Sequence, residues 1–442
     1  MKWKHAVAAT MVFPAACAPT DTRDDARNVS GAISVRDSAG VAIIENPETG
    51  DTLSVRELVR IGSVAGRPDY ELFGIFHVAV DANGAYVGMP NGISVYDARG
   101  AFVRRIGRKG QGPGEFNMAP VVWFAGDSVM ALDRNLMRTT AFDTTGRVLG
   151  TWNSSSHPGL WITPRARHGT TWIAEVEPIR DLADEQNVQR INIAVGERYD
   201  PPPTVLLRYD PVHDVLGDTV YHVPRTSLRG SAQSESGVAR PLFSSEPAYA
   251  FDGSGNLYVT SADEYRIDVF DTDGRLVRSI RRAYDHVPIT PADLDSLPEL
   301  LVEGYAASMT GASREQYRRQ MLPRMRETVQ RQTGAAPLPA ARPALGRILV
   351  SRGGTILLER ADAVAPAVRH AQRVTGRPLP PTRWDLFVDG RYQGTINLAP
   401  GFRAWALSDD GSVTGVMRDE SDVEFVVTLV PSPRGAAGTA RR

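Results

Sequence analysis

Acidic residues close several short apolar runs along the chain, at Asp133, Glu175, Asp263, Glu359 and Asp419, and Arg134, Arg360 and Arg418 sit directly beside three of them. Carboxylates gathered at one place can hold a cation or a polar ligand, and with neighbouring arginines they can equally form structural ion pairs. His77 opens an apolar run, and Arg403 opens another. His77 is either a pocket residue or a satisfied core histidine. The corresponding stretches near Val121, Ile162, Tyr249, Ile348 and Arg403 supply no second or third histidine, so a three-histidine zinc site is not expected. The chain has no Gly-x-Ser-x-Gly elbow and no phosphate loop. Its glycine-rich "GRKGQGPG" precedes a strand, not the helix N-terminus that a phosphate site uses.

The elements that must position these residues repeat. A first hairpin recurs as "FHVAVDANGAYVG" from Phe76, "AYAFDGSGNLYVT" from Ala248 and "AWALSDDGSVTGV" from Ala404. A second recurs as "ISVYDARGAFVRRIG" from Ile93, "TAFDTTGRVLGTW" from Thr140 and "IDVFDTDGRLVRSI" from Ile267. Alternating Val, Ile, Phe and Tyr suit half-buried strands, and Asp-x-x-Gly supplies the positive φ of a tight connection. Turn glycines of the first hairpin fall at Gly84, Gly126, Gly169, Gly255, Gly354 and Gly411, and the first two intervals, 42 and 43 residues, match one four-stranded blade. The longer intervals read as the same unit with insertions. The wide one before Gly255 could hide a seventh blade, but its strands "TVLLRYD" and "TVYHVP" are needed to complete the third. The expectation is an all-β, six-bladed β-propeller over residues 31–430. The last blade has three strands of its own, and "LSVRELVRIG", Leu53 to Gly62, is expected to close the ring as its fourth.

With strands lettered a to d from the centre outward, the tight Asp/Gly turns all lie on one face. The long links, Pro178 to Pro203, Arg229 to Pro247, Arg281 to Gly346 and Ala361 to Arg383, lie on the other, where binding loops gather. The insertion 281–346 turns helical. Thr290 reads as an N-cap with Pro291 at the first helical position, and Ser313 with Gln316 reads as a capping box opening a second helix. That helix carries six arginines, at 314, 318, 319, 324, 326 and 331, against Glu315 and Glu327, and Pro323 is expected to kink or split it. It is a basic lid or a helix packed on the propeller with a solvated arginine face.

At the N-terminus, Met1 to His5 is basic and Ala6 to Ala16 apolar, the pattern of a secretory signal over residues 1–17. The single cysteine, Cys17, lies in Pro14-Ala15-Ala16-Cys17-Ala18, which resembles a bacterial lipobox with Pro14 where Leu is usual. The competing reading is ordinary cleavage after Ala18. Residues 18–30 are expected to form a disordered tether and 431–442 a disordered tail. A net charge of -1 implies neither nucleic acid nor an acidic membrane surface as partner. Arginine is nearly the only base, since only Lys2, Lys4 and Lys109 are lysines, and this reads first as codon bias.

The segment "IGRKGQGPGEFN", Ile106 to Asn117, together with the hairpins, resembles bacterial NHL-type six-bladed propeller proteins over most of residues 60–430. In that family an Asp and Arg pair ties strand b to strand c, which the resemblance implies for Asp133 with Arg138 and Asp263 with Arg266. Related propellers include metal-assisted lyases and lactonases with sites around the central channel. Two functions follow as expectations. The first is an exported, monomeric protein of the periplasm or outer membrane, attached to the membrane only through a lipid on Cys17. It would bind an envelope protein, peptide or glycan on the insertion-bearing face through His77, Asp133, Arg134, Glu175, Asp263, Glu359, Arg360, Arg403 and Arg418, with no cofactor and no catalytic residue. The second is a hydrolase or lyase with calcium or zinc at the channel mouth. A purely structural module is a third and has no pocket beneath the helices.

Overall fold

The computed structural model describes residues 32–432 except 65, 155, 179–192, 233–236, 245–246, 262–263, 308, 337, 376–379 and 420–422. Cys17, Asp263 and the C-terminal tail lie outside the described residues.

The chain is mostly β, laid down as antiparallel four-stranded meanders. The first comprises His77–Asp81, Gly84–Met89, Gly92–Asp97 and Phe102–Ile106, and the second Val121–Ala125, Ser128–Asp133, Arg138–Phe142 and Val148–Asn153. Leu160–His168, Thr171–Pro178, Thr204–Asp210 and Val215–Val223 form the third; Tyr249–Phe251, Leu257–Thr260, Arg266–Phe270 and Leu276–Arg282 the fourth. Leu345–Val350, Ile356–Arg360, Thr382–Val388 and Arg391–Leu398 follow. The last meander has Arg403–Leu407, Val413–Arg418 and Glu424–Ser432, and Thr52–Ile61 supplies its fourth strand, in register from Ser54 opposite Ser432 to Ile61 opposite Val426. The same N-terminal strand pairs in parallel with Arg391–Leu398, joining the last two meanders in one eight-stranded sheet.

The outer turns follow from the Asp-x-x-Gly spacing. Asp97 accepts hydrogen bonds from the backbone N–H groups of Arg99 at 2.9 Å and Ala101 at 2.8 Å, while Gly100 takes φ +81°. Asp143 and Asp271 repeat the device with Gly146 and Gly274. A carboxylate that satisfies two turn donors next to a residue free to adopt positive φ makes the connection self-contained.

Consecutive meanders pack face to face. Tyr86, Ile93 and Val95 of the first meet Val122, Val129 and Phe142 of the second. Similar clusters join the second to the third and the third to the fourth. Val269 and Ile280 then meet Ile348 and Phe387, and Trp384 and Ile396 meet Ala404 and Val427. A further cluster sets Val416 and Val426 of the last meander against Val78 and Val87 of the first. Sheets whose apolar faces are buried pairwise around a circuit, with their first strands innermost, make a β-propeller.

The N-terminal hairpin, Ser34–Ser38 and Val41–Asn46, extends the outer edge of the fourth meander, with Val41–Asn46 parallel to Leu276–Arg282. The helical insertion holds Pro291–Asp295, Leu297–Tyr305 and Gly311–Ala335. Thr290 is the N-cap of the first, and its N–H and hydroxyl both donate to Asp293. The capping box expected at Ser313 does not form, because the long helix starts at Gly311 and the Ser313 hydroxyl donates to the Thr310 carbonyl. That helix also runs through Pro323 without splitting. Arg314 and Arg318 pair with Glu303, and Arg326 with Glu299, so half of its arginines lie across the neighbouring helix. A fourth helix, Pro366–Thr375, occupies the insertion of the fifth meander.

Candidate functional site

The insertions meet over one end of the barrel of inner strands. Leu242 and Phe243, Leu297 and Leu301, Val329, and Ala367 and Ala371 form a single apolar cluster drawn from three separate insertions. A small sheet of Arg198–Tyr199, Leu228–Gly230 and Val238–Ala239 ties in the fourth. The cap is therefore one body with its own core, and it is fixed to the propeller beneath by Arg369, whose Nη1 donates to Glu359 at 2.7 Å.

Beneath it, every inner strand contributes a polar or aromatic side chain: His77, Trp123, Arg165, Tyr249, Arg347, and Arg403 with Trp405. The Trp405 ring organises the cluster. His77 packs against it with ring centroids 4.4 Å apart, and the guanidinium carbons of Arg403 and Arg347 lie 4.2 and 5.5 Å from its centroid. Arg347 also donates to the Ala404 carbonyl at 2.7 Å. Across the channel Arg165 is paired with Glu175 and lies 5.8 Å from the Trp123 ring. Arg165 is enclosed by protein yet keeps 31% of its side chain open to water, as expected of a group lining a concavity.

Burial, with charge second, sets the protonation states here. Burial, then the positive charges of Arg347, Arg165 and Arg403, push the His77 imidazole down to about 3, so it is neutral at ordinary pH. Its Nδ1 is buried without a hydrogen-bond partner. Desolvation pushes Arg347 below its usual range, and repulsion from Arg403 and Arg369 adds to this against the opposing pull of Glu359. Arg403 is likewise lowered by desolvation. Burial raises Glu177 and Tyr249, with Glu175 adding to both.

The sequence-derived residues divide. His77 and Arg403, on inner strands, lie against Trp405, and Glu175 and Glu359, on the adjoining strands, pair with Arg165 and Arg369. Asp133 joins neither group: it is buried and accepts the N–H groups of Asn117, Met118, Asn135 and Leu136. The pairing implied for Asp133 with Arg138 is replaced by two separate loop ties, since Arg138 donates to the carbonyls of Gln111, Gly112 and Glu115. Arg266 pairs with Glu264 and Asp268. Arg134 is exposed. Arg360 turns to Asp362 and the buried Asp385, and Arg418 pairs with Glu424. Asp419 accepts from the Val423 N–H. The residues not anticipated are Arg165, Arg347, Arg369, Trp123 and Trp405. For Arg165 and Arg347 the signal is an arginine interrupting an inner apolar strand, in "LWITPRARH" and "LGRILV".

Among the described residues no group of three or more His, Cys, Asp and Glu side chains is placed to hold a metal ion. The two carboxylates at the mouth that were candidates for one, Glu175 and Glu359, are already engaged by Arg165 and Arg369. Nor is any helix among the described residues long and apolar enough to cross a membrane.

No protein-family model matches the chain, and no curated protein matches it. Several solved structures of propeller type resemble it at low identity. A member of the DUF4221 family from Bacteroides vulgatus aligns at TM-score 0.46 and 9% identity, over 86% of this chain and 98% of that one. A catalytically inactive virginiamycin B lyase from Staphylococcus aureus, with quinupristin, aligns at TM-score 0.36 and 10% identity, over 86% and 99%. The PQQ-bound aldose sugar dehydrogenase of Streptomyces coelicolor gives TM-score 0.35 and 9% identity, over 87% and 99%.

Proposed function

We propose that the chain is a six-bladed propeller exported to the cell envelope, lipidated at Cys17 or released. It acts as a monomeric, non-catalytic binding protein that holds an envelope peptide or glycan at the capped channel mouth. The observation that carries this reading is the mouth itself: guanidinium, imidazole, indole and phenol side chains, at least one from each inner strand, gathered beneath a cap built from joined insertions. Ligand sites favour places where a rigid scaffold holds a few convergent polar groups among aromatic ones. Export is supported by the basic and apolar pattern of Met1 to Ala16, followed by Cys17.

The metal-assisted hydrolase or lyase is disfavoured by the donor chemistry, because arginines occupy the mouth carboxylates. Two measurements test the choice. Mature protein immobilised on resin should retain a component of an envelope extract, and an Arg403→Glu variant of unchanged melting temperature should not. Stoichiometric calcium or zinc in the purified protein, lost on replacing Glu175 and Glu359, would overturn the reading in favour of the metal-assisted one.

A further inference from the structure

We infer that the channel mouth binds its ligand by an oxyanion seated between Arg347 and Arg403, so that the ligand carries a carboxylate or phosphate group. This rests on the reading of the mouth as the binding site. The charges around it do not cancel locally. Arg165 pairs with Glu175 and Arg369 with Glu359, while Arg225 faces Glu177. Among the described residues neither the Arg347 nor the Arg403 guanidinium forms an ion pair: Glu359 attracts Arg347 but pairs with Arg369 and accepts only the Arg347 backbone N–H, the Arg347 guanidinium donates to the Ala404 carbonyl, and Arg403 is stacked on Trp405. Both cations lie against the same indole, 5.5 and 4.2 Å from its centroid, so their guanidinium carbons are no more than about 10 Å apart, and one oxyanion would accept from both where they share a side of the ring.

The stacking matters as much as the charge. A guanidinium lying on an aromatic face keeps its N–H edges free, and those edges match the two oxygens of a carboxylate or phosphate. His77, which lies on the same ring, stays neutral and so neither adds a third uncompensated charge nor competes for the anion. Both arginines are partly desolvated by their surroundings, and desolvation with mutual repulsion is the state that an incoming anion relieves. Arg403 is exposed and Arg347 half-buried, so neither is closed off from solvent.

The test uses the mature protein and its intrinsic tryptophan fluorescence, since Trp405 and Trp123 line the mouth. Glucuronate, glucose 6-phosphate, inorganic phosphate and uncharged glucose serve as probes. At least one anionic probe should quench saturably with an affinity tenfold or more above that of glucose. Preference for glucuronate identifies a carboxylate, and preference for the phosphates a phosphate. Arg347→Met and Arg403→Met should each weaken that binding at least tenfold with melting temperature preserved, while Arg99→Met, at an exposed arginine in the tight Asp97–Gly100 turn, should leave it unchanged. Equal binding of glucose and the anions, abolished in Trp405→Ala, would overturn the oxyanion but leave the mouth as the site. Anion binding undiminished in both arginine variants would overturn both readings. The absence of saturable binding by any probe would overturn the oxyanion.

Discussion

Asp385 is fully buried and accepts three hydrogen bonds, from the Tyr265 hydroxyl and Arg282 Nη1 at 2.5 Å each and from Thr395 Oγ1 at 2.6 Å. Arg282 continues the network to the carbonyls of Pro47 at 2.9 Å and Glu48 at 2.5 Å and lies 3.9 Å from the centroid of the Tyr392 ring. A buried pair of this kind is costly to break from one side, because the surviving charge is left buried without its counter-charge. Asp385→Ala should therefore destabilise the fold by about 3–5 kcal/mol, read as a lower urea midpoint at unchanged slope. His77 makes a second prediction. Its folded imidazole titrates near about 3, against 6.5 when unperturbed, so between those values the unfolded chain binds a proton that the folded one refuses. Stability contributed by its neutrality is present above pH 6.5 and is lost as the pH falls toward 3, at up to about 1.4 kcal/mol per pH unit. His77→Gln should flatten the acid limb of the stability profile, and an unchanged limb would count against the enclosed, neutral imidazole. At this scale the sequence was only partly legible. His77 and Arg403 stand at strand starts where their inward placement can be read. Arg347 and Arg165 sit inside apolar strands, and a search framed around carboxylate and histidine ligands passes over arginines that an anion site would use.

The turns were the most legible elements, because Asp-x-x-Gly satisfies its own donors and depends on nothing distant. The helices were less so. Thr290 and Asp293 are a local device and form as the spacing implies, whereas the long helix starts at Gly311, two residues before the Ser313 that the capping-box spacing picks out, and its arginines reach Glu299 and Glu303 of Leu297–Tyr305. Pro366–Thr375 gave no signal strong enough to stand alone, since its buried face, Ala367 and Ala371, is small and gains meaning only against Leu297 and Leu301. Its Arg369 is an ionic tie from cap to propeller, to a Glu359 with only 4% of its side chain exposed. Arg369→Ala should loosen the cap without unfolding the propeller. Amide exchange in residues 297–305 and 366–372 should quicken at least tenfold, about 1.4 kcal/mol of local stability, while the meanders keep their protection. Uniform acceleration throughout the chain would show that cap and propeller unfold as one.

Ring closure belongs to the whole molecule. Thr52–Ile61 is sequence-distant from both of its neighbours, yet it covers the edge of Glu424–Ser432 along its length and touches Arg391–Leu398 on the other side. Ile61 is buried in the cluster that joins the last meander to the first. This closure was readable from the sequence because the final repeat lacks a fourth strand and an orphan strand precedes the first, a mismatch that only pairing of the two resolves. Removing residues 1–61 should therefore do far more damage than removing residues 1–31, which precede the described structure. The shorter truncation should melt like the parent. The longer one exposes an unpaired edge and opens the last-to-first core, so it should lose its cooperative transition and aggregate. A synthetic peptide of residues 52–61, added in excess, should restore a cooperative melt by reoccupying the edge, with a midpoint that rises with peptide concentration as mass action requires. If the longer truncation melts like the parent without the peptide, the strand is an accessory and the ring is held by its inter-sheet cores alone.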